Sequence, residues 1–155
     1  MLFRSEDYQK ILDTYCYRDS QGKFILCWDI ARFVNHSFNS SCITTAYDFE
    51  LAVRDIQPGE QLTDDYGYLN ISEPFDCEKE EGSLRTRVMP DDLLHFHAEW
   101  DAKLNEAFKK YNQVEQPLKK FLSPEIITKT NLIGAGKLEM DSILNCYFHG
   151  NGVVK

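Results

Sequence analysis

One apolar stripe constrains the fold of this chain more than any other feature of its sequence. Between residues 90 and 111 the large apolar side chains recur every three or four positions, at Leu93, Phe96, Trp100, Leu104, Phe108 and Tyr111. This spacing puts them on one face of an α-helix, and so apolar a face must be covered by the rest of the chain. Pro90 suits the first helical position, and Asp91 and Asp92 suit the positive end of the helix dipole. The sequence predicts a helix over 90–111 that packs on a core built elsewhere.

The first 75 residues carry the signals of short strands and turns instead. A brief helix is predicted around Glu6 to Tyr15, one strand over Phe24 to Trp28, and another over Thr44 to Val53. Pro58 and Gly59 then occupy the two central positions of a type II turn before a short strand over 61–63. Beyond Phe75, shorter helices are predicted over 116–122, 125–132 and 138–148. The chain therefore divides into a β-rich region, 1–75, and a helical region, 76–155.

Two motifs in the first region lie about thirty residues apart. The first reads Arg32-Phe33-Val34-Asn35-His36-Ser37, and the second reads Asp65-Tyr66-Gly67-Tyr68 and follows a Pro-Gly-Glu turn. Together with the strand between them, these motifs resemble the second half of a SET domain. SET domains form the family of S-adenosylmethionine-dependent protein lysine methyltransferases. The resemblance covers roughly residues 24–70.

The resemblance implies a cofactor role for the first motif. In the family, the residues that match Asn35 and His36 contact S-adenosylmethionine, and Arg32 and Phe33 lie next to it. The planar amide of Asn35 offers both donors and an acceptor, which suits the polar ends of such a cofactor. The alternative is that Asn35 to Ser37 form an ordinary hydrogen-bonded turn between strands.

The second motif supplies the expected catalytic residues. Tyr66 matches the active-site tyrosine of the family, which also borders the cofactor, and Tyr68 matches a second aromatic position that lines the lysine channel. In the reaction a lysine amine displaces the methyl group of a sulfonium, so the amine must first lose a proton from a reference pKa of about 10.4. We expect Tyr66 to orient the amine and the methyl group. The alternative is that both tyrosines are buried packing residues with satisfied hydroxyls.

The net charge of the chain favours some classes of binding partner over others. There are 25 acidic and 17 basic residues, a formal charge of −8, and residues 1–75 hold 12 of the acidic groups but 6 of the basic ones. This balance excludes a phosphate-binding surface and therefore a nucleic-acid partner. A lysine-bearing protein or peptide is the expected substrate, attracted by Asp48, Glu50, Asp64 and Asp65. The alternative is a solvated acidic face without a partner.

The cysteines and the N-terminus indicate the cellular setting. The five cysteines include no C-x-x-C pair, and no apolar run is long enough for a signal peptide or a membrane span. We expect an intracellular, cytoplasmic protein, or a nuclear one in a eukaryote, with no membrane partner. Many SET proteins bind zinc through cysteines, but Phe38 stands at the first of those positions and Cys77 is alone in the later region. No metal site is expected.

Some of the family pattern is missing from the chain. The family has a glycine-rich G-x-G turn well before its Asn-His-Ser motif, whereas Gly22 is the sole glycine among residues 1–34. Ser40-Ser41 replaces a Pro-Asn pair, and Asp64 stands where an apolar or aromatic residue is usual. The sequence therefore predicts a SET domain that lacks its first part. A charge at Asp64 needs water or a partner.

These observations predict an α+β fold. The resemblance implies that its core is a SET-like β-rich unit, a β-clip with a threaded C-terminal segment, and C-terminal helices follow. The predicted function is methyl transfer from S-adenosylmethionine to a protein lysine. One alternative is a catalytically inactive SET-like module that binds a basic peptide. Another is a structural protein that completes its sheet with a second chain. The sequence leaves the oligomeric state open.

Overall fold

The computed structural model describes residues 6–27 and 29–150 of the 155-residue chain. Trp28, the predicted end of one strand, lies outside the described residues. The three α-helices of the described residues are α1 (Glu6–Tyr15), α2 (Asp92–Tyr111) and α3 (Pro124–Gly134). The strands are β1 (Cys16–Arg18), β2 (Phe24–Leu26), β3 (Asn35–His36), β4 (Cys42–Thr44), β5 (Glu50–Ala52), β6 (Thr63–Asp64), β7 (Phe75–Asp76) and β8 (Arg87–Val88). Short 3₁₀ helices occupy Ile30–Phe33, Tyr66–Tyr68, Lys119–Phe121 and Ile143–Cys146.

The strands pair two by two. β1 with β2, β4 with β5 and β7 with β8 are antiparallel, whereas β3 and β6 are parallel. Ser41 lies just before β4 and connects the β4–β5 hairpin to β6. Its amide donates to Thr63 Oγ1 over 3.1 Å, and its hydroxyl accepts from the Thr63 amide over 3.0 Å. Four small sheets and three helices make the described part of the chain an α+β structure, as predicted.

The apolar stripe of α2 forms the core, as its spacing predicts. One cluster joins three stripe residues to the β4 strand, the second motif and the C-terminal segment: Ile43, Tyr68, Leu93, Trp100, Leu104, Ile143 and Tyr147. A second cluster contains Tyr47, Phe108, Tyr111 and Ile133. Full burial of such a side chain stabilises the fold by about 1.5–3 kcal/mol. The helix therefore covers the β-rich region.

The start of α2 differs from the prediction by two residues. Pro90 precedes the helix, Asp91 is its N-cap residue without a side-chain cap bond, and Asp92 is the first helical residue. The Asp92 carboxylate instead accepts a hydrogen bond from the Met89 amide over 2.9 Å and pairs with Arg85. An ion pair therefore holds the first turn of this helix.

Three predicted elements are wrong in detail. The strand predicted over 44–53 is a hairpin, because the chain reverses between Thr45 and Phe49 with Asp48 at a positive φ of 60°. The helix predicted over 138–148 is reduced to the 3₁₀ turn Ile143–Cys146, which Ser142 caps. The one predicted over 116–122 is the 3₁₀ turn Lys119–Phe121. Apolar spacing alone did not distinguish these short turns from helices.

The remaining predicted elements are present, some with shifted bounds: the strand expected over 61–63 is β6 (Thr63–Asp64), and the one that begins at Phe24 ends at Leu26. α1 spans the predicted residues, and Ser123 caps α3 by accepting from the Ile126 amide. Gly59 has a φ of 85°, and the Glu60 amide donates to the Gln57 carbonyl over 3.0 Å, as the predicted turn requires. None of the described helices is both long enough and apolar enough to cross a bilayer.

Candidate functional site

The two sequence motifs lie side by side in the structure. Asn35 pairs with Thr63 and His36 with Asp64 in the parallel β3–β6 ladder, and the Ser37 amide donates to the Asp64 carbonyl over 2.9 Å. The Tyr66 amide donates to His36 Nδ1 over 3.1 Å. Burial lowers the pKa of His36, which keeps the ring neutral and its Nδ1 able to accept this bond.

The side chain of Tyr66 contacts Val34 and His36 of the first motif and also Phe75. Its hydroxyl donates to the Val34 carbonyl, and its ring centre lies 5.4 Å from that of His36 and 6.3 Å from that of Phe75. Burial, and secondly the nearby Asp64, raise the pKa of the phenol. Tyr66 is therefore a neutral, half-buried and oriented hydroxyl at the junction of the two motifs.

A buried ion network supports this junction from the C-terminal side. The Asp65 carboxylate caps the Tyr66–Tyr68 turn by accepting from the Gly67 amide over 3.0 Å, and it also pairs with Arg85. The second guanidinium nitrogen of Arg85 pairs with Asp92 at the start of α2. Burial raises the pKa of Asp65, and Arg85 opposes that shift. The network thus links the residue before Tyr66 to the main helix.

Sequence reasoning did not find Arg85. It lies 20 positions after Asp65 in a charged connector, and its contacts are non-local. Its guanidinium stacks 4.4 Å from the ring centres of both Phe38 and Phe96. Glu80 was also missed: it accepts hydrogen bonds from the Ser37 hydroxyl and from the amides of Phe38 and Asn39.

Tyr68 occupies a different environment from Tyr66. It is 2% exposed and packs edge-on against Trp100, with ring centres 5.4 Å apart. Its hydroxyl is buried and has no hydrogen-bond partner among the described residues. Tyr68 contacts the helical core with one part of its ring and lines the cavity described next.

A cavity of about 1160 Å³ opens beside Tyr66. Its walls come from the β1–β2 hairpin, the β4–β5 hairpin, the Ile30–Phe33 turn and the segment from Leu62 to Phe75. Tyr17, Phe24, Phe49, Tyr66, Tyr68 and Phe75 supply aromatic surface. The cavity is large enough for an extended side chain and its flanking residues.

Acidic groups dominate the charge of this cavity. Its carboxyl groups belong to Asp19, Asp48, Glu50, Asp64 and Glu73, and its basic residues are Arg18 and Arg32. Burial, followed by the charge of Glu50, raises the pKa of Asp64 to about 10. Burial also raises the pKa of Glu50. The cavity therefore presents a negative surface to a ligand.

The structure separates the predicted site residues into two groups. Arg32, Tyr66 and Tyr68 line the cavity, whereas Phe33, Asn35 and His36 are not among its lining residues. Phe33 is 64% exposed, and the side chain of Asn35 is also exposed. His36 lies between the rings of Tyr66 and Phe38. Of the acidic residues, Asp65 faces Arg85 instead of the cavity.

The side chains of Arg32 and Asn35 are exposed and therefore available to a ligand. Arg32 contacts the rings of Tyr15 and Phe33, at 5.8 and 5.0 Å, and forms no ion pair within the described residues. Across residues 6–27 and 29–150, no cluster of three or more histidine, cysteine or acidic side chains has the geometry of a metal site.

The first part of the chain is similar to one known family. Residues 3–67 match the family model of the SET domain, which is somewhat under half of the chain. Over these residues the sequence is similar to a SET domain, which is consistent with the resemblance seen in the two motifs. The match begins nearer the N-terminus than the residues 24–70 that carry the resemblance in the sequence. No curated protein and no solved structure gave a significant match to the chain.

Proposed function

We propose that this chain transfers a methyl group from S-adenosylmethionine to a lysine side chain of a protein. The observation that carries the proposal is the position of Tyr66, which is bonded to Val34 and His36 of the first motif and also lines the acidic cavity. SET domains are in general methyltransferases of this kind, and residues 3–67 match the model of that family. We also propose a detailed architecture for the chain. Residues 1–75 form a β-clip in which the segment 62–66 is threaded beside the Asn35 loop, and residues 76–155 form a helical region.

The residues of the first motif fit the proposed cofactor. The Asn35 amide and the Arg32 guanidinium are exposed and lie three residues apart, and they suit the amino-acid end and the hydroxyl groups of the cofactor. Phe33 offers an exposed aromatic face, and Phe75 closes the same side beside His36. S-adenosylmethionine supplies a methyl group that its sulfonium makes electrophilic.

The cavity beside Tyr66 has properties that suit a substrate lysine. An entering lysine arrives as an ammonium with a reference pKa of about 10.4, and the apolar rings of the wall disfavour its charged form by desolvation. Tyr66 then orients the amine, because the bond from its own hydroxyl to the Val34 carbonyl fixes the phenol oxygen. Tyr68 forms the inner wall against Trp100. The ionised carboxylates of the wall attract the basic segment around the lysine.

A labelled-methyl assay tests the enzyme. The chain is incubated with radiolabelled S-adenosylmethionine and lysine-rich proteins, and transfer is followed by mass spectrometry of the modified lysine. Tyr66→Phe is expected to lower kcat by roughly a hundredfold, because the phenol oxygen no longer fixes the geometry. Tyr8→Phe, at an exposed tyrosine of α1 outside the cavity lining, is the matched control and is expected to be as active as the unaltered chain. No transfer to any lysine protein would end the enzyme proposal.

The acidic cavity also favours a second function, an inactive SET-like module that binds a basic peptide. Both functions require affinity for lysine-bearing peptides, so peptide binding alone does not separate them. Peptide binding without cofactor binding and without methyl transfer would select the inactive module. In either case we propose an intracellular protein, cytoplasmic or nuclear, in keeping with the five free thiols.

A further inference from the structure

The β1–β2 hairpin forms one wall of the cavity and is bonded to the segment that follows the second motif. Arg18 is the last residue of β1. Its amide donates to the Leu69 carbonyl over 3.3 Å, and its own carbonyl accepts from Asn70 Nδ2 over 3.0 Å. Leu69 and Asn70 directly follow the Tyr66–Tyr68 turn. The end of β1 is therefore bonded to the segment that carries the two tyrosines.

Asn70 also binds the C-terminal segment, residues 146–148. Its Nδ2 donates to the Cys146 carbonyl over 2.8 Å, and its Oδ1 accepts from the Phe148 amide over 2.9 Å. Asn70 is 3% exposed and has a φ of 51°, in the left-handed region that asparagine adopts more readily than most residues. Both hydrogens and the oxygen of this buried amide are bonded, so its orientation is fixed. Asn70 thus joins three segments of the chain.

Phe148 extends this connection to the turn of the hairpin. Gly22 lies in that turn with a φ of 78°, and a Cβ at this position would lie 2.5 Å from the Phe148 ring. The centre of the same ring is 6.0 Å from the Arg18 guanidinium, which also lies 4.8 Å from the centre of the Phe24 ring. The C-terminal segment therefore contacts the hairpin at its turn and at the adjoining end of β1.

We propose that residues 146–148 form a strap that holds the β1–β2 hairpin in place as a cavity wall, with Asn70 as the positioning residue that fastens it. A two-stranded hairpin is marginally stable by itself, so a hairpin released from the strap opens more often. A ligand that contacts this wall then binds less tightly. Within the proposed function that ligand is the lysine-bearing substrate, and the inference rests on that function only for this identity.

Hydrogen exchange followed by mass spectrometry tests the strap without cofactor or substrate. Asn70→Gly removes the three side-chain bonds and leaves the positive φ without strain. We expect the amides of residues 16–26 to exchange at least about tenfold faster, and those of α2 to change by less than about threefold, because the opening is local. Phe148→Ala removes the ring from the turn of the hairpin and is expected to speed exchange in the same residues.

Asn112→Gly is the matched control for the exchange experiment. The side chain of Asn112 also joins two segments, because its Nδ2 donates to the Asn131 carbonyl over 2.9 Å. Its loss is expected to speed exchange in α3 and to leave residues 16–26 within about threefold of the unaltered chain. Unchanged exchange of residues 16–26 in both strap variants would overturn the inference. An equal increase in the hairpin and in α2 would also overturn it, since that pattern is a loss of global stability. Where Asn70→Gly does not fold, Phe148→Ala decides between these results.

The labelled-methyl assay shows whether the strap positions the wall for a substrate. In Asn70→Gly the KM for a lysine-bearing protein is expected to rise at least about fivefold while kcat stays within about twofold, because the reacting groups are unaltered. A fall in kcat at unchanged KM would contradict the positioning role. If the unaltered chain transfers no methyl group, the proposed function fails, and the exchange experiment still decides whether the strap holds the hairpin.

Discussion

Arg85 joins the turn at Tyr66 to α2, so its replacement by alanine is expected to destabilise the whole fold. The side chains of Asp65 and Asp92 are 1% and 5% exposed, and that of Arg85 is 15% exposed. Arg85→Ala leaves both carboxylates buried without their shared cation. It also removes the guanidinium that stacks on Phe38 and Phe96.

The size of the effect follows from this burial. Removing one partner of a buried ion pair costs about 3–5 kcal/mol, because the remaining charge stays desolvated. A domain of this size has a free energy of unfolding of roughly 5–15 kcal/mol, so the loss is a large share of the total. With a urea dependence of about 2 kcal/mol per molar, the unfolding midpoint should fall by roughly 2 M.

Urea unfolding followed by tryptophan fluorescence measures this shift. The matched control is Arg87→Ala, whose ion pair with Asp76 joins side chains that are 53% and 83% exposed. Exposed pairs contribute little, so this variant should lose less than about 1 kcal/mol. Adding Asp92→Asn to Arg85→Ala should cost less than Asp92→Asn alone, because it removes a carboxylate that has already lost its partner. A loss below about 1 kcal/mol for Arg85→Ala would show that the two carboxylates do not depend on this cation.

Three further predictions concern the second motif. The pKa of Asp64 is about 10 in the folded chain and 3.8 for the unperturbed group. Between these two pH values the folded state holds a proton that the unfolded chain releases, so the free energy of unfolding falls as the pH rises. Urea unfolding should therefore show Asp64→Asn more stable than the unaltered chain at about pH 8, with a smaller difference near pH 5, and a difference independent of pH would contradict the buried proton. Gly67→Ala places a Cβ 2.7 Å from Arg85 Nη2 and should lower the free energy of unfolding by about 1–3 kcal/mol in the same assay. An unchanged midpoint would show that the Arg85 side chain moves away from the new methyl group without a loss of stability. Tyr68→Phe removes a buried hydroxyl without a partner among the described residues, so its unfolding midpoint should be unchanged or higher, and a clear loss of stability would show that this hydroxyl is bonded.

The sequence predicts those parts of the fold that depend on local chemistry. The apolar spacing of α2 and the Pro58-Gly59 turn are confirmed because each is determined by residues within a few positions of one another. The break at Asp48 was missed because the residues around it alternate like a strand, and only the pairing of β4 with β5 shows the reversal. The division of the chain at Phe75 stays a prediction.

The candidate site was predictable in part for the same reason. Family motifs indicate Asn35 and Tyr66, and the structure brings their segments together through the β3–β6 pairing. The sequence shows that a charge at Asp64 needs a partner, but which groups lie near Asp64 depends on how β6 and the β4–β5 hairpin meet. Arg85 was not predictable, since nothing near it in the chain marks a buried cation. The roles of Asn35, His36, Tyr66 and Tyr68 stay predictions.

Calorimetric titration of S-adenosylmethionine into the chain shows whether this chain binds the methyl donor. We expect a micromolar Kd that is lost in Asn35→Ala and retained in Asn105→Ala, an exposed asparagine on α2. Circular dichroism of the same samples would show that each variant is folded. No binding to a folded, unaltered chain would contradict the claim that this chain holds the methyl donor.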